Sequence, residues 1–156
     1  MPFIYSLLFV VSIRSFKQYT SLSVIVVLLA LFEFASNAVT LPLLNALNDK
    51  SITYFYRLSA WVGFWILVDA AIIQTLQKAH VWLNVSKGKE LVIVQWAYTV
   101  LICLLTMYYL NALSLNSEII ARIPQIGIPI INLSLAGYLL FVAIKKLELT
   151  PWKAQA

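Results

Sequence analysis

Charge is what this 156-residue chain has least of: Asp, Glu, Lys and Arg make up 11% of it, against roughly 25% in an average soluble domain. There is one cysteine, Cys103, and one histidine, His80. A single thiol excludes an intrachain disulfide and a cysteine metal cluster, and it leaves the redox compartment undecided. His80, read as a solvated residue of a basic loop, has no second His, Cys or carboxylate at ligand spacing, which argues against a metal site or haem ligation. HExxH, GxSxG and Walker-type glycine loops are all missing. The expectation is therefore a non-enzymatic protein with no catalytic residue, no metal and no cofactor.

What is there is apolar. Hydrophobic residues make up 62% of the chain, and the mean hydropathy is +0.90. Lipid is the expected solvent, and the length accommodates several spans of about 20 residues with no separate soluble domain. The net charge of +5 is read as the basic bias that orients membrane proteins, not as a sign of nucleic-acid binding.

Along the chain, residues 1–18 hold an apolar run too short to span, followed by Arg14 and Lys17. Basic residues placed after the run do not fit a cleaved signal peptide, so a retained interfacial segment is expected. Four spans follow, at about 20–47, 54–77, 91–113 and 125–146, in an all-α bundle. In the first, Ser23, Ala30, Glu33, Asn37 and Thr40 share a helical face, and in the third, Gln95, Thr99, Cys103 and Thr106 do. Such faces indicate helix packing or a pore lining. Ser59 and Gly63 form a small-xxx-small pair in the second span that predicts close helix approach. Pro124, Gly127 and Pro129 predict a kinked or unwound entry to the fourth, after a short helix capped near Asn116 or Ser117.

Orientation follows from the basic residues. With the amino end inside, Arg14, Lys17, Lys78, Lys87, Lys89, Lys145, Lys146 and Lys153 are cytoplasmic, against Lys50, Arg57 and Arg122 outside. Eight against three predicts both termini inside. Lys78, Lys87, Lys89, Lys145 and Lys146 would then offer a basic face to lipid headgroups or to an acidic cytoplasmic protein.

Two residues break the apolar pattern. Glu33 and Asp69 fall near the middle of the first and second spans, about 20 Å and 12 Å from the cytoplasmic ends at 1.5 Å per residue, with no basic residue at their depth. A carboxyl group there needs a proton, a partner or a wet cavity. One reading makes each a neutral acid hydrogen-bonded to an amide such as Asn37, Gln95 or Asn132, joining helices. Another has Glu33, Asn37, Asp69, Gln95, Thr99 and Asn132 form an ion or proton pathway or a buried polar network. A third has a partner protein supply the missing positive charge.

In size and span number the chain resembles the four-helix membrane components of small drug transporters, of bacteriocin immunity and plasmid exclusion, and of some antiphage systems. The likeness is one of topology and carries no motif. Small multidrug transporters also bear an acidic residue in their first span; this chain is longer and adds a second acid, so their site is not carried over. Two functions are expected. The first is a homo-oligomeric inner-membrane subunit acting as sensor, scaffold or pore element, of a defence or immunity type, with a cytoplasmic partner. The second is a small proton-coupled transporter using Glu33 and Asp69.

Overall fold

The computed structural model describes residues 20–49, 51–115 and 117–148; the interfacial segment expected at 1–18 lies outside them. All regular structure among these residues is helical: α1 Ser21–Leu47, α2 Tyr54–Trp82, α3 Lys89–Leu110 continued by a π-helical turn Asn111–Leu115, and α4 Glu118–Glu148. Each of the four is long and apolar enough to cross a membrane. At 27 residues α1 is about 40 Å long, more than the roughly 30 Å hydrocarbon core.

Local chemistry sets the helix ends. Thr20 starts α1 with a reciprocal capping box: its hydroxyl accepts from the Ser23 amide at 3.3 Å, and the Ser23 hydroxyl accepts from the Thr20 amide at 2.9 Å. At the end of α2, Asn84 takes a left-handed φ of 52°. The Val85 amide then reaches His80 C=O at 2.9 Å and the Asn84 amide reaches Val81 C=O at 3.2 Å. That is a Schellman closure, in which asparagine replaces the usual glycine. The turn from α3 to α4 is held by Asn111, which accepts from the Ser117 amide at 3.0 Å and donates to the Ser117 carbonyl at 3.1 Å.

Three local expectations are corrected. The fourth helix starts at Glu118, not near 125, and runs on through Pro124 and Pro129. Each proline removes one amide donor and leaves the carbonyl four residues earlier without its helical partner. Gly63 does not mark a close approach, since a methyl group added there would meet nothing within 4 Å. Close contact falls instead at Gly127, where an added Cβ would come within 3.0 Å of Leu104. Ser59 bonds the Tyr109 hydroxyl at 2.9 Å, joining α2 to α3.

The helices run up and down, and packing is uneven along them. The buried cluster draws Leu22, Ile25, Val26 and Leu29 from the start of α1, Ile72 and Leu76 from the later half of α2, Leu91 and Val94 from the start of α3, and Leu135, Leu139 and Ala143 from the later half of α4. All of these lie toward the loop 83–88, which carries Lys87. At the opposite end α1 is hardly covered: beyond Ala30 its only buried residue is Ser36. At that end Leu58, Val62, Asn111 and Pro124 of the other helices stay buried, so the loss of cover is confined to α1.

Candidate functional site: a mid-bundle cavity with two carboxylates

A cavity of about 370 Å³ opens where the tight packing ends. Its polar wall comes from three helices. Glu33 and Ser36 project from α1, Asp69 from α2 and Asn132 from α4. Glu33 and Ser36 are three apart and so share a face of α1; Trp61, Trp65 and Asp69 follow at steps of four along α2. The remaining wall is aromatic and aliphatic, including Phe32, both tryptophans and Tyr98. The two indoles meet edge to face, with centroids 5.8 Å apart at 77°.

Asp69 is 7% exposed, and Glu33 is half-buried. Neither carboxylate, nor the Asn132 amide, makes a hydrogen bond or an ion pair with another described residue. The Ser36 hydroxyl is occupied, donating to Glu33 C=O at 3.1 Å. The helix-joining reading, in which an acid is bonded to an amide, therefore finds no such bond here. Two carboxylates on one largely apolar wall repel each other if both are ionised, and a proton or a cation placed between them relieves this. The cavity can bind positive charge, and no group of three His, Cys, Asp or Glu residues suited to a metal ion occurs among the described residues.

Of the residues singled out from the sequence, the structure brings Glu33, Asp69 and Asn132 to one cavity. It does not bring the other three there. Asn37 is exposed, one position past the inward-facing Ser36. Thr99 is exposed too, with Cys103 and Thr106, so the polar face of α3 points outward. The Thr99 and Thr106 hydroxyls fold back onto the Gln95 and Ile102 carbonyls of their own helix, each at 2.8 Å. Gln95 is half-buried, with its Nε2 enclosed and unpartnered. Lys78, Lys87, Lys89 and Lys145 are exposed; Lys146 belongs to the last turns of α4.

Sequence reasoning missed two things. The aromatic wall was one, although Trp61, Trp65 and Asp69 at steps of four are a readable signal. The other is His80, which is not a solvated loop residue. It lies in the last turn of α2 and is 1% exposed. Its Nδ1 is 2.8 Å from the Leu76 carbonyl, so Nδ1 carries the proton. Nε2 then accepts from the Ser21 hydroxyl at 2.9 Å, and Ser21 in turn accepts from the Gly88 amide at 3.3 Å. This chain ties the start of α1 and the end of α2 to the loop before α3.

Comparison with protein-family models, with curated protein sequences and with solved structures gives no match. The functional reading rests on the site alone.

Proposed function

We propose that the protein is a small multi-pass carrier of the cell's inner membrane, both termini cytoplasmic, in which Glu33 and Asp69 exchange protons for a cation. The observation that carries this reading is the convergence of Glu33, Asp69 and Asn132, all without protein partners, on one cavity within a single chain. A cation entering the cavity takes the charge that a carboxyl proton had neutralised, and that proton leaves to water. Exchange keeps the buried charge constant, which matters in a medium where each uncompensated ion costs several kcal/mol.

Reconstitution into liposomes loaded with a pH-sensitive dye tests it. An imposed cation gradient should drive proton movement that Asp69→Asn reduces at least about tenfold and Glu33→Gln reduces measurably, with both variants still inserted and monodisperse. Unchanged proton movement in both variants would sink the carrier.

One observation favours the oligomeric subunit as a second reading. The outward face of α3 carries Thr99, Cys103 and Thr106, a strip of small and polar groups against which a second copy could pack. Such an assembly would work as a sensor, scaffold or pore element, docking a cytoplasmic protein on Lys78, Lys87 and Lys89. It predicts that Lys87→Glu with Lys89→Glu abolishes capture of that partner, while Glu33→Gln and Asp69→Asn leave it intact.

A further inference from the structure

The walls of the cavity say more about its occupant than its charge does. At about 370 Å³ it falls within the range of small-molecule sites, and it exceeds a water molecule's share of liquid volume, about 30 Å³, by an order of magnitude. A bare inorganic ion would leave most of the wall unengaged. The side-chain oxygens, from Glu33, Ser36, Asp69, Asn132 and the Tyr98 phenol, are set in a lining that otherwise consists of aliphatic side chains and aromatic rings. Beside the acids the lining is aromatic: Phe32, Trp61, Trp65 and Tyr98, with Trp61, Trp65 and Asp69 on one face of α2. The indoles of Trp61 and Trp65 meet edge to face at 77°, so each keeps at least one face that the other does not cover. Aromatic faces beside carboxylates in a desolvated pocket are the chemistry that holds alkylated ammonium groups. Asp69 supplies the independent sign of a ligand, being 7% exposed, on the cavity wall and without a protein partner.

We infer that the cavity takes a monovalent organic ammonium ion, its charge against Asp69 and Glu33 and its apolar body against Trp61, Trp65 and Phe32. The inference rests on the carrier reading and narrows its cation to one class. Charge and shape are both required: the acids reject neutral molecules of the same form, and the rings reject small hydrated ions.

Phenyltrimethylammonium and its neutral isostere tert-butylbenzene are the probes, with the full chain in lipid nanodiscs and binding followed by equilibrium dialysis of the radiolabelled cation. Saturable binding is expected, and the isostere should compete at least about tenfold more weakly. Trp61→Leu and Trp65→Leu should each weaken binding by about 2- to 30-fold, the range of a single desolvated cation–aromatic contact. Trp65→Phe should recover part of the loss, and Asp69→Asn should remove saturable binding. Helix content and monodisperse elution confirm that each variant is folded, and the Trp65→Phe comparison does not depend on the more disruptive change. Equal competition by tert-butylbenzene, or wild-type affinity in both leucine variants, would overturn the organic-cation class. If phenyltrimethylammonium fails to bind while sodium or potassium gradients still drive Asp69-dependent proton movement, the class falls and the carrier stands. If neither occurs, both fall.

Discussion

At the scale of single residues, the buried hydrogen-bond chain through Ser21 and His80 is the clearest energetic commitment outside the cavity. Ser21 and His80 are 59 positions apart, and each satisfies the other in a place with little access to solvent. Ser21→Ala strands the His80 Nε2 acceptor and should cost about 1–3 kcal/mol; His80→Ala adds a cavity and should cost about 2–4 kcal/mol. Because the two groups share one bond, the double variant should lose less than the sum of the singles, as read by thermal unfolding in detergent. Asp49, in the loop after α1, behaves differently. The Ser51 amide donates to its carboxylate at 2.9 Å, and this bond, reinforced by the Ser51 side chain, holds Asp49 below the usual carboxylate range. Whatever the bond contributes is present above that range and lost as pH falls through the depressed value. Carbon-detected NMR titration of Asp49 should show the low midpoint, and Ser51→Pro, which removes the amide donor, should bring it back up.

At the scale of elements, the end of α2 depends on a residue in an unfavourable backbone region. Asn84 closes the Schellman turn at φ 52°, which asparagine tolerates and glycine adopts freely. Asn84→Gly should therefore be near neutral, while Asn84→Val should cost about 1–2 kcal/mol, and more of the loss should appear at the basic-loop end. The contact between α3 and α4 has a corresponding weak point at Gly127, facing Leu104. Gly127→Leu should destabilise by about 1–3 kcal/mol through overpacking, measured against Gly137→Leu, where nothing lies within 4 Å of an added Cβ. The short apolar-to-polar alternations of α1 and α3 were legible as polar faces, but which way those faces point was not. On α1, Ser36 turns inward and its neighbour Asn37 outward; on α3, Thr99, Cys103 and Thr106 all turn outward. In water the polar side of a helix must face solvent. In lipid that rule lapses for hydroxyls able to bond their own backbone, as Thr99 and Thr106 do.

At the scale of the whole molecule, the uneven packing predicts an uneven opening. Amide exchange in detergent should be slowest across the buried residues of early α1, late α2, early α3 and late α4, and fastest in α1 beyond Ser36 and in the first turns of α2. If the second half of α1 proved as protected as the first, something outside this chain would have to be covering it. The sequence by itself determined that there would be four long apolar helices and that two carboxylates would lie deep within them, because hydropathy and helical rise translate directly into span and depth. It also made the Thr20 cap and the tryptophan spacing on α2 available to be read. Only the tertiary structure decided that Glu33, Asp69 and Asn132 face one cavity, that Asn37 and Thr99 do not, and that His80 is buried against Ser21. The reason is physical. Lipid and protein interior are about equally apolar, so a membrane helix carries little information in its periodicity about which face meets protein, and that choice is made by the packing of side chains distant in sequence.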